Sequence, residues 1–438
     1  MSCNKLLFII GIAILLSGCG NAEEYLNKGT EYYSQGEYSL AVDMWHKAAK
    51  RRSTKAQFML GICYASGDGV TKDLSESVYW LTKAAEQGDV NAQSIVGVLY
   101  EHGGDVVKNL SKAVYWYTKA AEQGDADAQS HLGRCYEKGN GVAKNLSKAA
   151  YWYTRAAKQD NADAQFRLGL CYEEGNGVAR DSSKAVYWLT KAAEQGNTKA
   201  QMSLGACYYG NNDYDNAIHW WTIAAEQDYA EAQYALGLCY TIGVGVAKNS
   251  SKAVYWYTKA AEQGYADAQS HLGRCYEKGN GVAKNLSKAI YWYTKAAEQG
   301  NTEAQTNLGV CYYGNRDYDN AIHWWTIAAS AGDASAQNNL ANCYYYGKGV
   351  PINYSAAIFW LNRAAERGLA DAQYALGHHY YNIAVYQEAA HWFELAAKQG
   401  HKGAKQYLQY LNQGVLTTRN IRSIRRGNNS IDLNIIYY

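Results

Sequence analysis

The sequence offers few residues whose types and spacing could catalyse a reaction. A serine three residues before a lysine is the pattern of a family of serine hydrolases in which the serine attacks an acyl group, and its only occurrence is Ser2 to Lys5. This pair lies inside a predicted signal peptide and would be removed with it. The sequence contains no His-Glu-x-x-His motif, phosphate-binding loop or paired-cysteine zinc pattern. It therefore predicts that the protein is not an enzyme and uses no cofactor.

The adjacent His378 and His379 are the remaining candidates for metal binding. Successive side chains of a helix point about 100° apart, so these two imidazoles are not expected to face one ion. Stretches such as the Gly-Asn-Gly-Val of residues 139–142 are rich in glycine. They recur as turns between helices and do not follow a strand, so the sequence predicts neither a metal site nor a phosphate site.

Most of the cysteines occupy one repeated position. Eight of the ten lie two residues after a recurring glycine or alanine, from Cys63 through Cys343. Packed helices are about 8–10 Å apart, whereas a disulfide needs α-carbons within about 7 Å. The equivalent residue of one repeat is Leu99, which is apolar. We therefore expect a small buried core position and no disulfides between neighbouring repeats.

The N-terminus has the layout of a bacterial secretory signal. Lys5 precedes the mostly aliphatic stretch Leu6 to Leu16, which is shorter than the roughly 20 residues needed to span a bilayer. The following Ser17-Gly18-Cys19 completes a resemblance to the lipobox of bacterial lipoproteins. That resemblance implies cleavage before Cys19 and lipidation of Cys19. Because Gly20 replaces the aspartate of inner-membrane lipoproteins, it also implies an outer-membrane location facing the periplasm, with surface exposure or secretion as the alternative.

The charge balance excludes a polyanionic partner. Charged residues make up 19% of the 438 residues and the formal net charge is +2, whereas nucleic-acid binding needs a basic face. The composition is uniform from Tyr25 to Leu411 without a linker, which predicts one continuous body. Residues 414–438 carry four arginines against one aspartate. They predict a solvated, poorly ordered tail, or alternatively a contact with anionic lipid or a partner.

An internal repeat organises the chain. The twenty residues from Ser130 to Ala149 return, letter for letter, from Ser270 to Ala289. They belong to an Ala-Gln-x-x-Leu-Gly pattern that recurs in steps of 36 residues, or of 32 in the shorter units. Extending the pattern back to Gly29 gives eleven two-part units and a closing half unit.

Each unit is predicted to form two helices. The first has apolar residues at i, i+4, i+7 and i+8, as in Ala128, Leu132, Cys135 and Tyr136. The second has them at i, i+3, i+4, i+7 and i+8, as in Ala149, Trp152, Tyr153, Ala156 and Ala157. Asn145 or Ser147 can cap the second helix. A single pair cannot bury its own apolar stripe, so neighbouring pairs must stack into a solenoid.

The stretch ADAQSHLGRCYEKGNGVAKNLSKAAYWYTRAAKQD resembles the Sel-1-like repeat, a relative of the tetratricopeptide repeat. The resemblance implies an all-α, right-handed α/α superhelix of about eleven helix-turn-helix repeats. It also implies an adaptor that binds other proteins on a concave surface lined by the first helices. A branch of the family with penicillin-binding or β-lactamase activity has two cysteines per unit, and this chain departs from it. The predicted organisation is a signal peptide at 1–18, a lipidated anchor at 19–24, a solenoid at 25–413 and the tail at 414–438.

Positions of the first helix that vary between units predict the partner-binding surface. An equal alternative is that their variety reflects tolerated solvent positions. The candidates are Phe58, Met59, Ser130, His131, Arg134, Phe166, Arg167, Met202, Tyr234, His271 and Arg274.

A second predicted feature is a row of aromatic residues directly before the tryptophan of each second helix. Residue 151 is rotated about 200° from Ala149, so the row is expected to be exposed. Exposed rings suit protein binding or stacking on the sugars of peptidoglycan, whereas packing between neighbouring second helices is the alternative. This aromatic ladder comprises Tyr79, Tyr115, Tyr151, Tyr187, Tyr255 and Tyr291.

Taken together, these patterns predict a non-catalytic protein–protein interaction scaffold of the bacterial cell envelope. Its expected partners are envelope-assembly or host proteins, with the membrane reached through the N-terminal lipid. The alternatives are an envelope hydrolase or β-lactamase-like enzyme, or an effector or binder that acts on host proteins or peptidoglycan.

Overall fold

The computed structural model describes residues 21–103 and 107–412. Within these ranges there are 23 helices and no strand, which confirms the all-α prediction. The predicted signal peptide, Cys19 and the tail from residue 414 lie outside the described residues. The described part of the first helix spans residues 21–34.

The helices are α1 (21–34), α2 (Tyr38–Ala49), α3 (Thr54–Ser66), α4 (Leu74–Glu86), α5 (Val90–His102), α6 (Leu110–Glu122), α7 (Ala126–Lys138), α8 (Leu146–Ala157), α9 (Ala162–Glu174), α10 (Ser182–Glu194), α11 (Thr198–Gly210), α12 (Tyr214–Glu226), α13 (Ala230–Ile242), α14 (Ser250–Glu262), α15 (Ala266–Lys278), α16 (Leu286–Glu298), α17 (Thr302–Gly314), α18 (Tyr318–Ser330), α19 (Ala334–Tyr346), α20 (Tyr354–Glu366), α21 (Ala370–Asn382), α22 (Tyr386–Lys398) and α23 (Lys402–Asn412).

Counted along the chain, the described helices form eleven helix-turn-helix pairs and a closing helix, as predicted. They divide into two compact units, one ending at Trp220 and the other beginning at Trp221. In each unit an odd-numbered helix packs on the even-numbered helix that follows, and that helix packs on the next pair. Each unit is therefore a solenoid of stacked helix pairs. No helix in the described ranges combines the length and apolar character that crossing a membrane requires.

The core is built from small alanines that pack around a large side chain of each second helix. In α8, Ala149, Ala156 and Ala157 are buried, and Tyr153 is fully buried. A Cβ added to Gly133 would lie 2.6 Å from the Tyr153 ring, so the missing side chain of that glycine makes room for the ring. This close approach explains why glycine recurs at this position of the first helix.

The prediction that Trp152 belongs to the same core stripe is wrong in part. Trp152 is half-buried, and it packs on the core that Ala121 of the preceding pair forms with Leu132 of its own pair. Trp188 packs in the same way on the core around Tyr153. The tryptophan therefore packs on the core shared with the preceding repeat, whereas the residue after it lies in the core shared with the following repeat.

A buried glutamine ties neighbouring repeats together. Gln129 of α7 is buried, and its Nε2 donates a hydrogen bond to the carbonyl of Ala121 at 3.0 Å in the preceding repeat. Its Oε1 accepts a hydrogen bond from Gln159 Nε2 at 2.9 Å, directly beyond the second helix of its own repeat. The paired amide thereby satisfies polar groups that would otherwise be buried without partners.

The predicted turn and core residues behave as expected at two further positions. Asn145 caps α8 by accepting a hydrogen bond from the backbone of Lys148. The eight recurring cysteines are free thiols, of which Cys207 and Cys275 are half-buried and the other six are buried. Burial raises the pKa of Cys343 to about 12, which keeps this thiol protonated and unreactive.

Candidate functional site

The predicted partner-binding residues lie on the odd-numbered helices α3, α7, α9, α11, α13 and α15. All are half-buried except Ser130, which is only 5% exposed and is therefore not presented to a partner. Phe58 and Phe166 pack against the hydrophobic core of their neighbours. Their variation between repeats is accounted for by core packing. Among the polar members of the set, His131, Arg134, His271 and Arg274 line surface recesses.

The first recess lies beside α7, where a carboxylate of the preceding repeat collects three donors. Tyr117 Oη donates to Glu101 Oε2 at 2.6 Å, and Arg134 Nη2 donates to Glu101 Oε1 at 3.1 Å. His131 Nδ1 lies 3.3 Å from the same carboxylate, and its ring stacks on Tyr117. Hydrogen bonding from His131, together with Tyr117 and Arg134, lowers the pKa of Glu101 to about 2 although burial opposes the shift. The recess beside this cluster is lined by His131, Arg134 and Asp163.

The next repeat builds a similar arrangement from different residues. Tyr153 Oη donates to Glu137 Oε2 at 2.8 Å. Arg167 bridges Glu137 at 3.1 Å and Asp163 at 2.9 Å, and its guanidinium also lies over the Tyr153 ring. A buried tyrosine thus fixes the glutamate at the end of the first helix, and a cation from the following repeat neutralises it.

The repeated segment has different side-chain partners in its second copy. Thr241 stands where Glu101 stands in the first copy, and its Oγ1 shares a hydrogen bond with Tyr257 Oη. Without that glutamate, Arg274 pairs instead with Glu303 at 2.9 Å. His271 Nδ1 donates to the carbonyl of Asp267, and burial together with Arg274 lowers the pKa of His271.

This second copy lines a recess that includes Thr241, Lys248, Tyr257, His271 and Arg274. The same twenty residues therefore present two different surfaces, and the preceding repeat decides which. The predicted set omits Glu101 and Thr241, although both occupy the position that is Glu137 in another repeat.

A third recess lies between α19, α20 and α21. It is lined by Asn342 and Tyr345 on α19 and by His378 and His379 on α21. His378 Nδ1 is 3.0 Å from Asn382 Nδ2, and burial lowers the pKa of both histidines. Within the described residues, no group of three or more His, Cys, Asp or Glu side chains is arranged to hold a metal ion.

The aromatic ladder is exposed. Its six tyrosines are 51–55% exposed, in agreement with the predicted rotation away from the core. Each ring lies edge-on against the tryptophan that follows it, as for Tyr151 and Trp152 with ring centroids 5.1 Å apart. Lysine ammonium groups lie over several of these rings, including Lys119 above Tyr115 at 5.9 Å. The ladder therefore presents amphipathic aromatic surface at the spacing of the repeat.

Comparison with known proteins identifies the repeat. The family model described as Sel1 repeat matches ten consecutive segments, namely 54–89, 90–125, 126–161, 162–197, 198–229, 230–265, 266–301, 302–333, 334–369 and 370–401. The chain belongs to the Sel1 repeat family. Sel1 repeat proteins typically act as scaffolds that bind other proteins and are generally non-catalytic. The pair α1 and α2 precedes the first matched Sel1 repeat.

Solved Sel1 structures extend the likeness over most of the chain. A protective antigen present in uropathogenic Escherichia coli strains, which displays an SLR fold, is 36% identical with a TM-score of 0.76, covering 93% of this chain and 90% of the antigen. A Sel1 repeat protein from Oxalobacter formigenes is 32% identical with a TM-score of 0.53, covering 67% of this chain and 87% of its own. DAP3-binding cell death enhancer 1 of Rattus norvegicus is 42% identical over 50 residues. The chain spans about a tenth of the length of the curated relatives it matches.

Proposed function

We propose that this Sel1 repeat protein is a non-catalytic scaffold of the bacterial cell envelope that binds envelope proteins through its first helices. The observation that supports this most strongly is that packing residues and recess-lining residues differ in how much they vary between repeats. The alanines, glutamine and glycine that pack the helices recur from repeat to repeat, whereas other groups that line the recesses change, such as Asp163 in one recess and Thr241 and Lys248 in another. A constant frame with variable polar recesses suits recognition of an extended protein surface.

The proposed envelope location rests on the lipobox-like sequence that ends at Cys19. An N-terminal acyl anchor would place the repeats beside a membrane without a spanning helix. Replacing Cys19 with alanine should abolish incorporation of an alkyne-tagged fatty acid and shift the protein out of the membrane fraction. Labelling that persists in the Cys19→Ala variant would refute the anchor.

The protein-binding surface can be tested by cross-linking in living cells. A photoreactive residue is placed at position 131, 167 or 203, each on a first helix, with position 151 on α8 as the second-helix control. Mass spectrometry then identifies the trapped adducts. An envelope protein trapped from the first-helix positions alone supports the proposal, whereas a host protein as the reproducible adduct supports the effector alternative.

A second candidate function, glycan binding, is favoured by the exposure of the aromatic ladder. Aromatic rings that are half-exposed and backed by tryptophan could stack on sugar rings of peptidoglycan. Replacing Tyr115, Tyr151 and Tyr187 with serine should then abolish co-sedimentation with purified peptidoglycan, whereas phenylalanine at the same positions should preserve it. Unchanged sedimentation of a folded serine variant would eliminate this function.

The enzymatic alternative has a direct assay. Hydrolysis of nitrocefin by the purified mature chain would support the β-lactamase-like alternative and contradict the non-catalytic proposal. The expected result is no hydrolysis above the rate in buffer.

A further inference from the structure

The recess beside the second copy of the repeated segment is basic. It is lined by residues of α13, α14 and α15 and of the turns that follow α13 and α15, and its cations are Lys248 and Arg274. Among the described residues that line this recess, none is acidic. Lys248 is exposed, and 38% of the Arg274 side chain is exposed. An anion that arrives from solvent can therefore reach both cations.

The first copy shows what these side chains bind when a carboxylate is present. The carboxylate of Glu101 accepts hydrogen bonds from Tyr117 Oη at 2.6 Å and from Arg134 Nη2 at 3.1 Å. Tyr257 and Arg274 stand at the equivalent positions of the second copy. The second copy therefore keeps the tyrosine and the arginine of a carboxylate-binding arrangement, without the glutamate.

Thr241 replaces this glutamate and leaves space in its stead. Thr241 Oγ1 donates to the carbonyl of Gly237 at 2.8 Å, so the Tyr257 hydroxyl donates its hydrogen bond to Thr241 and not to a carboxylate. The recess has a volume of about 160 Å³, whereas a cavity of about 10–15 Å³ is enough to hold one water molecule. A carboxylate with its adjoining methylene groups fits into this volume.

Arg274 retains donors for a ligand. Its Nη1 donates to Glu303 at 2.9 Å, and both side chains of this pair are partly exposed. A guanidinium has several N–H donors in a planar fork, so the pairing with Glu303 leaves others for a second carboxylate. His271 is not among the ligand's donors, since its Nδ1 donates to the carbonyl of Asp267 at 3.0 Å. The second cation of the recess is Lys248.

We propose that this recess binds the side-chain carboxylate of an acidic residue of a partner protein, in the place that Glu101 fills in the first copy. Arg274 donates hydrogen bonds to this carboxylate, and Lys248 neutralises it. The ligand is a side chain and not a chain terminus because the group that fills the first copy is itself a glutamate side chain. This inference rests on the proposed protein-binding function and names the chemistry that one position recognises.

The experiment uses the full mature chain and three small probes. N-acetyl-glutamate methylamide has a side-chain carboxylate, N-acetyl-glutamine methylamide is its uncharged isostere, and N-acetyl-glutamine has an α-carboxylate instead. Binding is followed by the ¹³C-methyl signal of Ala253, which lines the recess. The side-chain carboxylate is expected to shift this signal saturably and to bind at least about tenfold more tightly than the other probes, since charge-assisted hydrogen bonds are the stronger ones.

Equal binding of the uncharged isostere, or no saturable shift with the glutamate probe, would overturn the proposal. N-acetyl-glutamine that binds as tightly as the glutamate probe would overturn the side-chain assignment and point to the terminus of a partner chain.

Two variants of the recess test the residues assigned to it. Arg274→Gln should weaken binding of the glutamate probe about tenfold, because it removes the charged donor. Thr241→Glu should abolish binding, because the new carboxylate fills the site as Glu101 does in the first copy. Undiminished binding to either variant, read from the Ala253 methyl signal, would contradict the proposal.

The reciprocal variant, Glu101→Thr, tests the same assignment by a gain of binding. It frees Tyr117 and Arg134, so the glutamate probe should now shift the methyl signal of Ala113, the equivalent of Ala253. The unmodified protein is the control, in which Glu101 should keep the probe from shifting Ala113. No shift at Ala113, in a variant whose other methyl signals are unchanged, would contradict the carboxylate-binding role of this arrangement.

Failure of this inference is distinguishable from failure of the proposed function. Cross-linking from positions 131, 167 and 203 reports on protein binding without involving α13 to α15. A partner trapped there while the glutamate probe fails to bind would overturn the recess assignment alone. If the probe binds and no partner is trapped from α7, α9 or α11, the recess assignment stands and the first-helix surface of that unit is refuted.

Discussion

Two repeats, those that contain Gln305 and Gln337, lack a hydrogen bond that other repeats contain. In the repeat formed by α7 and α8, Gln159 donates to the buried Oε1 of Gln129 at 2.9 Å. In the repeat formed by α17 and α18, the residue at the equivalent position is Ala331, and Gln305 Oε1 is buried without a partner. The change Ala331→Gln is therefore expected to complete the pair and stabilise this part of the solenoid.

The size of the effect follows from opposing contributions. The new hydrogen bond is worth about 0.5–1.5 kcal/mol, and relieving an unsatisfied buried acceptor adds about 1–3 kcal/mol. Ordering the glutamine side chain costs up to about 2 kcal/mol. A net gain of about 1 kcal/mol results. The reverse change, Gln159→Ala, leaves Gln129 Oε1 unpaired and should cost about 1–2 kcal/mol.

Hydrogen exchange measures this change locally, because stacked repeats need not unfold as one unit. A gain of about 1 kcal/mol should slow exchange in α17 about fivefold, while α7 stays unchanged. The control places Ala331→Gln in a Gln305→Met background, where the acceptor is absent and the gain should vanish. Equal protection with and without the Gln305 amide would refute the proposed pairing.

Three further predictions follow from backbone geometry and charge. Gly133→Ala should lower the free energy of unfolding by about 1–3 kcal/mol because a Cβ there meets the Tyr153 ring. Gly210→Ala is the control and should not destabilise the protein, since a Cβ at Gly210 would have nothing within 4 Å. Urea unfolding compares the two variants, and equal losses of stability would contradict the packing account. Ala384→Gly should raise the thermal midpoint and add about 0.5–1 kcal/mol, since Ala384 has a φ of 64°; a lower midpoint would show that this backbone is unstrained. Because the pKa of Glu101 is lowered in the folded protein, its carboxylate contributes stability above about pH 4.5 that is lost as the pH falls towards about 2. Glu101→Gln should therefore show a smaller fall in urea midpoint over this pH range than the unmodified protein. Parallel plots of urea midpoint against pH for the two proteins would contradict this prediction.

The repeat pattern predicts most of the fold because helix pairs of a solenoid contact mainly their sequence neighbours. Apolar spacing locates the helices, and rotation about the helix axis correctly predicts the exposure of Tyr151. Spacing does not distinguish Trp152 from Tyr153, since both lie on the apolar stripe. Which ring fills the core depends on which one meets the missing side chain of Gly133 in the neighbouring helix.

The candidate site is less predictable because its chemistry depends on contacts between repeats. His131 and His271 lie in identical segments, yet Glu101 engages the first, whereas Thr241 stands at the equivalent position beside the second. The unsatisfied amide of Asn342 is likewise invisible in sequence, since a missing partner is recognised only when all neighbours are known. Variation between repeats locates the recesses, but three-dimensional contacts determine what they present.

In-cell cross-linking from position 131 on α7, compared with position 151 on α8, tests the central claim most directly. If this protein is a scaffold that binds through its first helices, position 131 traps a discrete envelope protein and position 151 does not. Adducts confined to position 151 would contradict that claim and transfer binding to the aromatic ladder.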